Sequence, residues 1–226
     1  MTQIRRRRTR TATICVLVLL LTVSTVCRRS PVATTSELST AEYDVLSAFS
    51  NGEFASRTRE EPLEPLGNGI AKIVVFNMTE SGEQGSNLRM DGNGQPIPWT
   101  QTASSLQNKV PALQQTTIDA YRRVNAQQAP LRRSFRPPIE YGLVDSTQLE
   151  PIFKKGGGWW PAYYKQFPGS QGILTFSRVG FSDDGTGALF YFSNRCGDLC
   201  GTGRYVVMEK RGARWVIVKE IEMWVS

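Results

Sequence analysis

From residue 172 onward the chain places apolar residues at alternate positions, and that period of two predicts strands. Four runs rich in aromatic and β-branched residues, 173–181, 188–194, 204–210 and 214–225, suit this conformation. Turn chemistry separates them. The stretch 182–187 holds two Asp and two Gly, Gly212 supplies a tight hairpin, and 195–203 carries two cysteines and three glycines. In the last run Trp215, Ile217, Ile221 and Met223 share one face with Lys219, while Val216, Val218, Glu220, Glu222 and Trp224 share the other. A sheet patterned in this way needs an apolar cover.

Upstream, a period near 3.6 predicts that cover. Ser39 and Glu42 form a capping-box pattern ahead of Tyr43, Leu46, Phe49 and Phe54, which recur at helical spacing, and Asn51-Gly52 weakens the end of that helix. Residues 73–78 read as a strand. Residues 80–108, rich in Gly, Ser, Asn and Gln, read as one long flexible loop. Pro111 opens a helix running to about residue 125. Asp145 or Ser146 caps a short helix that the glycines at 156–158 break. Residues 159–167 hold five aromatics and form a further helix, with Trp160, Tyr163, Tyr164 and Phe167 on one face. The expected fold is therefore α+β: a C-terminal four-stranded antiparallel meander covered by three or four upstream helices.

The amino terminus has a different character. Residues 1–10 contain five arginines, and the 17 residues 11–27 carry no charge. A basic region ahead of an apolar one is an export signal or an N-terminal membrane anchor. The expected organisation is a targeting or anchoring segment at 1–29, a linker at 30–38 and one domain at 39–226. Cleavage, lipidation at Cys27 and retention as an anchor all remain open. The net charge of +7 belongs to this segment. Without the seven arginines of residues 1–30, the 27 basic residues fall to 20, against 20 acidic ones. No general attraction to nucleic acid follows. Ten acids crowd into 37–91 and ten bases into 109–178, which reads as two solvated surfaces that complement each other.

The chain has no histidine. Ser-His-Asp and Cys-His catalysis and histidine-containing zinc sites are excluded, and no cofactor motif or metal site is implied. Cys196 and Cys200 cannot close a four-ligand zinc site alone. In an oxidising compartment they make a local disulfide, worth about 2 kcal/mol or less because the loop is small. Its job is to fix the shape of the hairpin end.

Two groups are candidates for ligand binding. Arg178 lies in mid-strand and, with Tyr191 on a neighbouring strand, is placed to line a concave mouth and hold a carboxylate or phosphate. The plainer alternative pairs it with Glu209, Glu220 or Glu222. Trp159, Trp160 and Tyr163 form a possible aromatic platform, and the plainer alternative is a helix that plugs the end of the sheet. Asp183 and Asp184 read as turn formers. Arg122, Arg123, Arg132, Arg133 and Arg136 read as a solvated helix end and loop, with anion binding as the functional alternative.

The strings Ser177-Arg178-Val179-Gly180-Phe181 and Cys196-Gly197-Asp198-Leu199-Cys200-Gly201 resemble an uncharacterised family of exported bacterial proteins with a Ser-Arg-Val-Gly-Phe strand and a Cys-Gly-x-Leu-Cys-Gly loop. The resemblance implies export and a compact C-terminal domain, and supplies no activity. The order of helix then meander is also similar to cystatin-like and NTF2-like shapes. The functional expectation is an exported cell-envelope protein acting as a non-enzymatic binding or structural module. Its partners would be the membrane, through the N-terminal segment, and an unidentified envelope ligand or protein. The rival is a small-molecule binder or isomerase- or hydratase-like enzyme.

Overall fold

The structure is a computed structural model that describes residues 37–55, 72–81, 95, 97–154 and 159–226, all within the unit Thr35–Ser226. The apolar run at 11–27, most of the expected linker, the glycines at 156–158 and the loop residues 82–94 lie outside the described residues. Five helices and a seven-stranded sheet are described: α1 (Thr40–Ala55), β1 (Lys72–Phe76), α2 (Trp99–Lys109), α3 (Gln115–Val124), β2 (Glu140–Val144), α4 (Ser146–Lys154), α5 (Trp159–Gln166), β3 (Ser170–Phe176), β4 (Gly180–Phe181), β5 (Gly187–Gly197), β6 (Cys200–Arg211) and β7 (Arg214–Val225).

The strand order is β2-β1-β3-β5-β6-β7, with β4 also on β5. Strands β1, β2 and β3 pair in parallel, and β3 through β7 pair antiparallel. The class is α+β as expected, but the sheet is mixed. The expected first strand at 173–181 is two pieces, β3 and β4, both paired with β5. Between the partners Phe176↔Phe192 and Gly180↔Leu189 that side holds one residue more than β5, so the strand bulges at 177–179.

Helices cover both faces of the sheet. On one face α1 lays Tyr43, Leu46, Phe49 and Phe54 on Val75, Phe176, Phe190, Phe192, Val206 and Met208. Leu38, placed by sequence in the linker, is buried in this core. On the other face α2 and α3 cover Leu189, Tyr191, Tyr205, Val207 and Ile221, while α4 and α5 cover Val74, Val144 and Ile173. Double coverage explains why 188–192 is a continuous apolar run, since every one of its side chains is buried.

Local signals set the helix starts. Ser39 N donates to Glu42 Oε2 at 2.7 Å and Glu42 N to Ser39 Oγ at 3.3 Å, a reciprocal capping box. Asp145 does the same with Gln148, donating its N–H at 3.0 Å and accepting at 2.9 Å. Three expectations are corrected. Helix α1 continues through Asn51-Gly52 to Ala55, because Phe54 anchors its last turn in the core. Helix α3 starts at Gln115 rather than Pro111. Helix α2 occupies the end of the expected 80–108 loop. It buries only Thr102 and Leu106, too few to leave an apolar stripe in the sequence.

Strand β7 carries two further bulges. The ladder to β6 slips between Met208↔Ile217 and Val207↔Lys219, and again between Arg204↔Glu222 and Gly203↔Trp224. Each slip reverses which side the following residues face. Ile217 therefore faces α1 with Met208, whereas Ile221 joins the opposite core with Tyr205, contrary to the single face that strict alternation gave them. Bulges on an outer strand also spoil its edge for pairing with another chain.

Candidate functional site

The 177–179 bulge gathers polar groups from three elements. Ser177 Oγ accepts the Tyr191 N–H at 2.7 Å and donates to the Arg178 carbonyl at 2.9 Å. Asn125, just past the end of α3, grips the Arg178 backbone twice, accepting its N–H at 2.8 Å and donating to its carbonyl at 3.0 Å. The bulge turns the Arg178 side chain toward α1. There Nε donates to Glu42 Oε1 and Nη2 to Glu42 Oε2, both at 3.0 Å. Glu42 also accepts the Val179 N–H at 3.3 Å. The side chains of the pair are 13% and 4% exposed, so this is a bidentate ion pair withdrawn from water. Arg178 thus has a glutamate partner, but on α1 rather than on the sheet, and is not arranged as an open anion site.

Gly180 lets α3 reach this region, because a Cβ there would collide with the Tyr121 backbone. A second ionic anchor holds the other end of α1. Arg204 Nη2 lies 2.6 Å from Glu53 Oε1 and its Nε 3.0 Å from Glu220 Oε1, over the rings of Phe192 and Phe49. These contacts are close without hydrogen-bond alignment, so the pairing is ionic. Neither Glu42 nor Arg204 stood out in the sequence. The only local hint was the capping box, which gave Glu42 a different job.

Tyr191 does not join Arg178. It faces the opposite core, where its hydroxyl accepts Trp224 Nε1–H at 2.7 Å. A Cβ on Gly203 would occupy the space of that bond. Burial, then the nearby Glu80 charge, pushes the Tyr191 phenol well above its ordinary pKa. Beside it lies a partly buried polar chain. Thr175 Oγ1 donates to Glu80 Oε1 at 2.9 Å and lies 2.5 Å from Ser193 Oγ, which donates to it because Thr175 has one hydroxyl proton. Sequence inspection missed Glu80, Thr175 and Ser193, which carried no motif.

The aromatic helix α5 packs on α4 and on β1, β2 and β3, and among the antiparallel strands reaches the end of β5 through Tyr164. Tyr163 is its buried centre, donating to the Gly172 carbonyl at 2.8 Å and accepting from Ser170 Oγ at 3.3 Å. Burial raises its pKa well above the usual tyrosine value. Trp160, Tyr164 and Phe167 are half-buried around it, and the Trp159 side chain lies outside the described residues.

The other candidates resolve into structure. Cys196 and Cys200 are disulfide-bonded with Cα atoms 5.0 Å apart. Arg132 pairs with Glu37 and Arg136 with Asp44 at the surface, while Arg133 donates to the Tyr141 carbonyl at 2.8 Å. Asp184 is a turn former. It accepts from Ser182 Oγ, Thr186 N and Thr186 Oγ1, and these bonds, Ser182's first, hold its carboxyl down to about 2. A surface depression of about 270 Å³ lies against Asp119, Arg122, Arg123 and Ala126, outside both cores. No protein-family model, curated protein or solved structure matches the chain.

Proposed function

We propose that this is an exported cell-envelope protein whose folded domain serves as a non-enzymatic binding or structural module, connected to the membrane through its N-terminal apolar segment and making no use of nucleic acid. The observation that carries this reading is the inward commitment of its conspicuous side chains. Arg178 is paired with Glu42, the Tyr191 hydroxyl with Trp224, and the Tyr163 hydroxyl with Gly172. A small-molecule site instead leaves a few polar groups converging on open space. The disulfide supports an oxidising environment outside the cytoplasm. Among the described residues no helix is long and apolar enough to cross a membrane, so the connection rests on the composition of 11–27.

Two measurements test the reading. Alkaline phosphatase fused after Ser226 is active if the domain is exported, and an expressed but inactive fusion overturns the address. Native mass spectrometry of protein recovered from the envelope shows no stoichiometric small-molecule adduct if the module reading holds. One observation favours the rival small-molecule binder or isomerase- or hydratase-like enzyme: the partly buried Glu80–Thr175–Ser193 chain beside Tyr191. An adduct that disappears in Glu80→Gln decides for that rival.

A further inference from the structure

Cys196 and Cys200 enclose only Gly197, Asp198 and Leu199. The strand ladder already joins the ends of that loop, pairing Gly197 with Cys200. A bond that closes so short a loop removes little entropy from the unfolded chain, because the effect grows with the number of residues enclosed. The tip is also held by other means. Tyr164 OH donates to the Cys196 carbonyl at 2.7 Å, and Gly201 and Ser226 exchange backbone hydrogen bonds at 3.2 and 3.0 Å. Cys200 and Asp198 are exposed, Leu199 is 89% exposed, and Cys196 is half-buried. Exposed disulfides are the reducible ones, whereas structural disulfides resist reduction.

We propose that Cys196–Cys200 is a thiol–disulfide exchange site for a dithiol donor, and that exchange releases the Leu199-bearing tip without unfolding the domain. The donor thiolate attacks Sγ of Cys200, the more exposed cysteine. A mixed disulfide forms, the Cys196–Cys200 bond breaks, and Cys196 leaves as the thiolate. The donor's second thiolate then attacks the donor sulfur of the mixed disulfide and displaces the Cys200 thiolate. Two electrons pass to this chain, its two sulfurs take up the two protons of the donor thiols, and the donor departs as a disulfide. Loop 197–199 is then closed only by the strand pairing of Gly197 with Cys200, while Tyr164 and the Gly201–Ser226 pair hold the strands beneath it.

The test uses the full chain without denaturant. Dithiothreitol followed by alkylation labels both cysteines of the 196–200 peptide, near-ultraviolet circular dichroism is retained, and the thermal midpoint falls by about 4–8 °C or less. Hydrogen exchange rises on reduction only around residues 197–201. Glutathione, a monothiol that stops at the mixed disulfide, is found on Cys200 in roughly tenfold or greater excess over Cys196. The variant Cys196→Ser/Cys200→Ser folds with the same spectrum as the reduced protein. A bond that yields only in denaturant, reduction that unfolds the domain, unchanged exchange at the tip, glutathione on Cys196, or a double variant that does not fold each overturns the proposal.

Discussion

The two faces of the sheet are fastened by different chemistry. On the α1 face, charge holds both ends of one helix, through Glu42–Arg178 and Glu53–Arg204, around an aromatic centre built on Phe49. On the opposite face two of the polar fastenings are neutral phenols: Tyr163 on Gly172 and Tyr191 with Trp224. Tyr121 is buried on the same face, packed edge-on against Tyr205. A buried ion pair returns little net energy once desolvation is counted, but it leaves a costly orphan when one partner is lost. A buried phenol costs little while neutral and much when ionised. The faces should therefore fail under different insults.

The largest effect breaks the charged face. Arg178→Met leaves Glu42 buried without its cation and should cost about 3–5 kcal/mol in urea unfolding. Arg178→Met/Glu42→Leu removes both charges and should recover most of that loss. A double variant as unstable as the single one would show that the pair's hydrogen bonds to the bulge, rather than its charge, hold α1. Alkali attacks the phenolic face. The folded pKa values of Tyr121, Tyr163 and Tyr191 lie above the ordinary 10.0, raised first by burial. The fold keeps the neutral form, so its contribution is complete below pH 10 and is lost as pH rises through the folded values. The slope should approach about 1.4 kcal/mol per pH unit for each such tyrosine. Urea midpoints measured from pH 9 upward, beside phenolate absorbance, check this, and flat midpoints would contradict it. The smallest effect sharpens the join between the faces. Gly180→Ala forces α3 away from the bulge and should cost about 1–3 kcal/mol. In Gly142→Ala the new Cβ meets only the Lys72 chain, Cε at 3.5 Å, and stability should move by about 0.5 kcal/mol or less.

The two family-like strings look different once placed in the fold. In the first, Ser177 pins the bulge, Arg178 anchors α1, Val179 fills the core, Gly180 admits α3 and Phe181 packs on Trp215. In the second, the cysteines bond and Gly201 leaves room for Trp224. Leu199 is the position that packing inside the domain does not explain.

What the sequence determined by itself lay among the features governed by neighbours a few residues apart. The capping box at Ser39, a cap at Asp145 or Ser146, the 182–187 turn, the hairpin at Gly212 and the existence of β5, β6 and β7 follow from local hydrogen bonding, backbone freedom and side-chain period, and the disulfide from two close cysteines together with the expected oxidising compartment. Tertiary structure decided what spans long separations. Glu42 meets Arg178 across 136 positions, and Thr175 meets Glu80 across 95. The bulges at 177–179 and within β7 reverse facing without leaving a mark in composition. Helix α2 and strand β2 bury too little to show a period. A side chain's partner is set by which surfaces come to cover it, and that cover is assembled only when the whole chain has folded.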